Sequence, residues 1–439
     1  MLTTVSKFHS DVPRDYLILR DMCHSAKNIR NSVLYIIRQH FFATGKYLGY
    51  QPAYEKFRDE HPNLYYQLNS WVSQNVVKNV ADDFSSFFAL LKKKKKGEYD
   101  RKVCIPKYQR NSGLRRVKFG GPALQIKDGY ARLALSKWLE KKYGKKFLRV
   151  KIPPNIEGQI KDVQILPKGE RCFEVAFAYE EKPIEKPEDL TDYLSCDLGV
   201  GNFVATVTSN GTAKLISGKK IKSYNQLYNK EKSKLQSLID TAKSKIEKMR
   251  LKRKMNALTL KRNMRVKDFL HKASKALILH ALENKVKTIV FGLNKGWKDG
   301  VNIGKKNNQT FTNLPHSRFI DIVRYKAARL GIKVETIEES HTSKCDAMSR
   351  EEIRHQEKYL GKRIKRGLFK SATGKIINAD VNGALNILRR FLERNGESNL
   401  LGWIATSGHL VLCPAQLALG TYGSPIGERK ATSSNFVRN

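Results

Sequence analysis

The sequence predicts an α/β protein preceded by a small β-barrel that carries a helical insertion. Three observations support this. Short alternating strands occupy about 103–188. A three-strand run, then alternating helices and strands, occupies about 193–395. Two long amphipathic helices, near 14–44 and 69–91, stand ahead of both.

The chain has 439 residues, which suggests about three domains. Lys and Arg number 83 against 41 Asp and Glu, a net charge of +42. Solubility needs far less, so the excess implies a polyanionic partner. The charge is clustered. Lys92 to Lys118 holds twelve basic residues against Glu98 and Asp100, and Lys243 to Lys272 holds twelve against Glu247 and Asp268. A third cluster runs through Lys362, Arg363, Lys365, Arg366 and Lys370. No lipidation motif accompanies them, and no apolar run approaches the roughly 18 residues of a membrane span, so no membrane partner is expected. The opening MLTTVSKFHSDVPRD lacks a signal-peptide core. Six scattered cysteines with no CxxC pair fit a reducing interior better than a disulfide framework.

The first helix places Leu17, Ile29, Val33, Ile37 and Phe41 near helical spacing. The second has an apolar stripe from Val72 through Phe84 to Leu91 and a polar face of Ser73, Gln74, Lys78 and Asn79. Lys92–Lys96 and Gly97 are expected to end it. Phe173, Val175, Phe177 and Tyr179 alternate as a half-buried strand. Pro183 to Pro187 reads as a linker.

Tyr193–Asp197, Phe203–Thr208 and Ala213–Ser217 are three short strands, the last two joined across Asn210-Gly211, a hairpin signal. A helical hairpin is expected over 222–284. Its seams are Leu235, Leu238, Ile239, Ala242, Ile246 and Met249 outward, and Val266, Phe269, Leu270, Ala273 and Leu277 returning. A strand at 286–291, a helix at 315–330, a strand at 332–337 and a helix opening at Asp380 complete the order. βββ-α-β-α-β-(insert)-α is the RNase H-like α/β layout.

Such a fold cuts phosphodiesters when carboxylates converge on two divalent cations, one activating water and one stabilising the leaving oxygen. Mg²⁺ takes oxygen ligands and keeps waters, so three acids suffice. Asp197 closes the first strand in SCDLGVGN. Asp380 opens the last helix in INADVNGALNIL, where an aspartate can also serve as an N-cap.

The segments DLGVGN, TIVFGLNKGW, HTSKC and INADVNGALNIL resemble the RuvC-type nuclease segments of TnpB proteins, the RNA-guided nucleases of insertion sequences. A weaker resemblance covers 60–190, where SQNVVKNVADDFSSFF and IPKYQR look like the family's recognition helix and wedge strand. The resemblance implies an OB-like wedge barrel over 1–13 and 103–188, and a helical recognition domain over 14–102. It further implies a RuvC-like nuclease domain over 189–342 and 378–405, a nucleic-acid-binding insert over 343–377 in place of the family's zinc finger, and a flexible tail over 406–439. The implied activity is Mg²⁺-dependent cleavage of double-stranded DNA, directed by a guide RNA from the transposon end and a short target-adjacent motif. The implied location is cytoplasmic and nucleoid-associated.

Two positions depart from the pattern. The family's usual glutamate before the Leu-Asn pair is Gly292 here, and an extra acid, Glu339, follows Glu338 at the end of the next strand. Asp197, Glu339 and Asp380 are therefore the expected metal ligands, with Glu338 in reserve. Between Thr342 and Asp380 only Cys345 and His355 remain of possible zinc ligands, and a closed site wants four. No zinc is expected. Nucleic-acid contacts are expected from Ser73, Gln74, Lys78, Asn79, Lys92, Lys93, Lys94, Tyr108, Arg262, Arg265, Lys344, Arg363 and Arg366. The alternatives are a nuclease-dead RNA-guided repressor, for which Gly292 is the motive, and a transposase acting directly on transposon ends.

Overall fold

The computed structural model describes residues 2–169, 172–180, 186–293, 314–365, 367–402 and 414–419. Contacts divide the chain into two compact units, Met1–Pro183 and Ile184–Asn439. The division falls slightly ahead of the expected boundary at 188.

In the first unit, strand β1 (Leu2–Lys7) precedes four helices, α1 (Pro13–Thr44), α2 (Tyr50–Glu60), α3 (Pro62–Tyr65) and α4 (Ser70–Lys95). The chain then forms β2 (Val117–Gly120), β3 (Leu124–Lys127), β4 (Tyr130–Ala134), helix α5 (Lys137–Tyr143), β5 (Phe147–Lys151), β6 (Ile160–Gly169) and β7 (Cys172–Tyr179). Two antiparallel sheets result, ordered β1-β7-β6-β2 and β3-β4-β5. The helices are thus inserted between two strands of one sheet. Pro13 at the start of α1 and the left-handed Gly45 at its end bound that helix as its sequence suggests. Ile29, Val33 and Ile37 meet Val72, Val76, Val80 and Phe84 in one core. Leu17 is exposed, and its neighbours Ile18 and Leu19 are buried instead. Helix α4 runs on through Lys92–Lys95, beyond its expected end. Cations in a last helical turn meet the negative end of the helix dipole, which favours that extension.

The second unit holds β8 (Asp192–Leu198), β9 (Asn202–Thr208), β10 (Ala213–Ser217), helices α6 (Lys219–Thr241) and α7 (Lys245–Glu283), β11 (Val286–Gly292), helix α8 (His316–Arg329) and β12 (Lys333–Ile337). A small sheet follows, β13 (Lys362–Lys365), β14 (Leu368–Lys370) and β15 (Ile376–Asn378), then helix α9 (Ala379–Arg394) and β16 (Ala415–Gln416). The main sheet runs β12-β11-β8-β9-β10-β16, with β8, β11 and β12 mutually parallel. The central parallel strands β8 and β11 are buried on both faces, as parallel strands covered by helices must be.

Two expectations need correction here. Ala415 and Gln416 pair with β10, so part of the expected loose tail completes the sheet edge. In the hairpin, the returning seam Val266, Phe269, Leu270, Ala273 and Leu277 is buried, but Leu238, Ile246 and Met249 are exposed. Those three lie at the end of the hairpin away from the sheet, where helical spacing alone supplies no partner. The insert 343–377 forms β13-β14-β15, organised around the buried Asp346. Its Oδ2 accepts from Ser371 Oγ at 2.7 Å and Ala372 N at 2.8 Å, and its Oδ1 from Met348 N at 3.1 Å. Cys345 is buried, with its thiol 3.5 Å from Arg354 O.

Candidate active site

The parallel register sets the ends of β8, β11 and β12 side by side. Phe291 stands opposite Cys196, and Gly292 opposite Ile337. Ends of parallel strands are where α/β sheets place their ligands. Asp197 is the next residue on β8, and its carboxylate lies against α9. A Cβ on Gly383 would stand 2.7 Å from Asp197 Oδ2, so glycine at 383 leaves room for that carboxylate.

Asp380 lies at the second position of α9 and is not its cap. Asn378 caps the helix, its Oδ1 accepting from Asp380 N at 2.9 Å and Val381 N at 3.3 Å. The Asp380 side chain is left for other work. Asn202 Nδ2 donates to its Oδ2 at 2.9 Å, and an Arg363 amine nitrogen stands 3.8 Å from its Oδ1. Asp380 and Gly383 are three apart on the helix and so share one face.

Glu339 follows β12 by two residues. A Cβ built on Gly292 would overlap Ile387 Cδ1 and stand 3.0 Å from Glu339 Oε2. The carboxylate of Glu339 therefore occupies the space into which a side chain at 292 would project. The turn carrying it is held from two sides. Thr342 N and Oγ1 both donate to Glu339 O, at 3.2 and 2.8 Å. Arg390 of α9 donates to Glu338 O at 2.7 Å, Ser340 O at 2.9 Å and Ile353 O at 3.0 Å, gripping the carbonyls on either side of Glu339. Glu338 is exposed and accepts from Ser340 Oγ at 2.6 Å. Of these two neighbouring acids, Glu338 is the exposed one and Glu339 the more buried one.

Electrostatics tie the three acids together. Burial pushes the Asp197 carboxyl up to about 8, with Glu339 and then Asp380 adding repulsion, while Arg363 and the Leu198 amide oppose the rise. Burial also raises Glu339. Uncompensated negative charge at one spot is what a cation relieves, so the donor set fits a hard, oxygen-seeking metal. Among the described residues no three His, Cys, Asp or Glu side chains already close on a single point as a finished metal cage.

Comparison with known proteins gives relatives of one kind. Residues 176–298 match the OrfB_IS605 probable-transposase model, and residues 316–387 match the Cas12f1-like TNB domain model. TnpB-like protein ORF457 of Acidianus two-tailed virus is 25% identical over 413 residues, spanning 85% of this chain and 83% of its own length. TnpB-like protein MJ0751 of Methanocaldococcus jannaschii is 30% identical over 126 residues, 28% of this chain and 43% of its own length. The chain is thus similar to TnpB proteins along most of its length. The cryo-EM structure of a Cas12f1–sgRNA–target DNA complex shares the fold, with a TM-score of 0.53 at 16% identity over 86% of this chain and 83% of that one. The RNase H-like fold of the second unit and the accompanying helical and β parts are thus an architecture common to both.

The nucleic-acid candidates of this chain fall into three groups. Lys78, Lys92, Lys93, Lys94, Arg265 and Lys344 are exposed. Arg265 lies over the Tyr224 ring and Lys344 over the Tyr359 ring. Tyr108 is exposed, and Arg363 reaches Asp380. Others are engaged internally. Ser73 is fully buried and donates to Tyr65 O at 2.7 Å, so it faces the core and not a groove. Gln74 donates to Tyr54 at 3.4 Å, Asn79 bonds Asn75 O and Arg116, and Arg262 donates to Asn225 at 2.8 Å. Helical spacing put Ser73 on the polar face, but α3 covers that side. Arg366 and Trp297 lie outside the described residues.

Three contributors were not singled out in the sequence. Asn202 and Gly383 sit inside the quoted motifs DLGVGN and INADVNGALNIL, so proximity to the acids was a usable signal. Arg390 is an ordinary helix arginine in sequence, and only its three carbonyl acceptors mark it. The role of Arg363 beside Asp380 needs the β13 hairpin to exist.

Proposed function

We propose that this chain is an RNA-guided DNA endonuclease of TnpB type in which Glu339 replaces the acid missing at 292. The observation that carries the proposal is the placement of the Glu339 carboxylate in the space that a side chain at Gly292 would fill. It acts there on Asp197, beside the helix that carries Asp380.

Asp197, Glu339 and Asp380 are the residues that would hold Mg²⁺, which when bound supplies an activated water and stabilises the leaving oxygen. The protein's own groups do the rest. Asn202 fixes the Asp380 carboxylate by donating to one oxygen. Arg363, more than half exposed and close to the other oxygen, is placed to meet a phosphate entering the site. Arg390 and Thr342 fix the backbone of Glu339. A guide RNA from the transposon end would occupy the basic surfaces of α7 and the Lys92–Lys118 run. The target would be double-stranded DNA, read by guide pairing, with a short adjacent motif read from the exposed face of α4 around Lys78. Such a substrate implies a cytoplasmic, nucleoid-associated protein. Among the described residues no helix is long and apolar enough to cross a membrane.

The test is purification with the native flanking locus, sequencing of bound RNA, and incubation of a matched duplex with Mg²⁺. Cleavage that needs guide, match and Mg²⁺ supports the proposal. Guide-dependent binding without any cleavage transfers the chain to the repressor reading. Absence of copurifying RNA, with strand joining at transposon ends, transfers it to the transposase reading.

A further inference from the structure

The segment from Arg101 to Arg116 forms no regular secondary structure, yet it is fastened to α1. Two residues of α1 clamp it. Arg30, itself paired with Asp83 at 3.1 Å, donates to Lys107 O at 2.9 Å. Asn31 makes a two-way amide pairing with Gln109, donating to its O at 2.8 Å and accepting from its N at 3.0 Å. The backbone is therefore held immediately before and immediately after Tyr108. The Tyr108 ring is presented outward, 45% exposed.

That ring does not stand alone. The Arg38 guanidinium lies 5.0 Å from the Tyr108 centroid and 5.5 Å from the Phe42 centroid. Phe42 is 61% exposed, and Tyr35, three residues before Arg38 on the helix, is 55% exposed. Four planar groups thus share one face of α1, and the exposed cations Lys107 and Arg110 flank them. An exposed phenylalanine ring has no use in water, and clamping a tyrosine outward costs loop entropy without adding core. Both features are explained by a flat ligand. Aromatic rings with an arginine between them stack nucleobases, and neighbouring cations track the backbone. Bases inside a duplex hide their faces, so the ligand is unpaired. RNA is the nucleic acid whose recognition centres on unpaired, splayed bases stacked on aromatic and guanidinium planes.

We infer that Tyr108, Arg38 and Phe42 form a base-stacking platform for an unpaired segment of RNA. The inference rests on the RNA-guided reading but assigns a place and a contact chemistry that the reading does not. Full-length protein freed of nucleic acid is titrated with a short oligouridine RNA, the same RNA carrying abasic positions, and the DNA counterpart. The expected result is that removing bases weakens binding to the wild type by about 5-fold or more, the size of a stacking contact. Tyr108→Ala and Phe42→Ala should weaken binding of the intact RNA similarly and abolish the difference between intact and abasic RNA. Tyr108→Phe should retain it. Thermal melts of each variant matching the wild type exclude unfolding as the cause. Wild-type binding that ignores bases, or a base dependence that survives both alanine changes, overturns the platform while leaving RNA binding intact. Base dependence with DNA but not with RNA overturns the choice of RNA. No RNA binding by the wild type overturns the RNA-guided reading together with this one.

Discussion

Glu339 and Gly292 share one space: the carboxylate of the first stands 3.0 Å from where a Cβ on the second would be. On the proposed reading, the glycine at the end of β11 and the acid after β12 are two halves of one arrangement. With an ordinary side chain at 292, Glu339 would be displaced and Ile387 would have to move. With glycine there and no Glu339, the site would lack an acid. Gly292→Ala should therefore reduce cleavage although no acid is removed, with a stability cost of about 1–3 kcal/mol for overpacking. The reciprocal double variant, Gly292→Glu with Glu339→Ala, should recover part of the activity that either change alone removes. Initial cleavage rates of the three variants, with melting temperatures, test this. A double variant no better than the worse single one would mean that the two positions are independent.

Glu339→Gln keeps the shape and removes the charge. It should leave target binding intact and lower cleavage by orders of magnitude, as should Asp197→Asn and Asp380→Asn. Glu338 is exposed, so Glu338→Gln should cleave near the wild-type rate. Single-turnover cleavage alongside a filter-binding measurement separates the two effects. Equal losses from Glu338→Gln and Glu339→Gln would mean that the whole turn, and not one carboxylate, matters.

Arg390 is a positioning residue, since it touches only backbone carbonyls around Glu339. Arg390→Ala leaves three acceptors without their charged donor, at about 1.5–3 kcal/mol for a hydrogen bond to a charged group. Arg390→Lys keeps the charge but loses the planar fork, so it should rescue little. The distinguishing readout is Mg²⁺ dependence. A displaced Glu339 raises the Mg²⁺ concentration needed for half-maximal cleavage, whereas a merely less stable protein shows an unchanged Mg²⁺ midpoint below its melting temperature.

Much of this was legible in the sequence. Asp197 and Asp380 could be read because each stands in a local pattern, a strand end before glycine and a helix start. Their neighbours in space, Asn202 and Gly383, stood in the same patterns. Glu339 is preferred over Glu338 because it is the acid added to the resembled pattern, on the strand next to the one where an acid is missing. What could not be read depends on chain-distant partners. Ser73 has the spacing of a surface residue, and its burial follows from Tyr65 on a short helix with no periodic signal. The exposed Leu238, Ile246 and Met249 look like a seam because helical periodicity cannot tell a packed face from an unpacked one. Arg390 and the Asp346 network are assembled by the fold, and no local pattern announces them.

Two histidines of α7 contribute a loss of stability in acid to the second unit, opposite in sign to the contribution of the raised Asp197 and Glu339 carboxyls. Burial pushes His280 and His271 each down to about 4, and nearby cations add to the shift. In the unfolded chain both titrate near 6.5. Above that value they are neutral in both states and contribute no pH dependence. As pH falls from about 6.5 toward 4, the unfolded chain takes up protons that the folded one refuses, so their contribution to stability drops with falling pH. Each histidine adds up to about 1.4 kcal/mol per pH unit within that window. Urea unfolding between pH 7.5 and 4.5 measures the slope, and His280→Gln should lessen the loss in acid by about one proton.

Salt provides the last check, on the run that ends α4. Lys92, Lys93 and Lys94 are exposed in the final turn. Two roles are open to them, capping the helix dipole and contacting phosphate, and the two differ in what they leave behind. Replacing all three with glutamine removes both. If they contact RNA phosphates, each lost contact lowers the slope of log K against log salt by about 0.7, the value for single strands, so the triple variant should lose up to about 2. If they only complement the dipole, the slope stays fixed and the loss appears in thermal stability, at about 0.3–1 kcal/mol per charge. Binding isotherms at several salt concentrations, with melting curves of the same samples, separate these outcomes. We expect the slope to fall, because a last turn made entirely of lysines exceeds what a helix dipole can use.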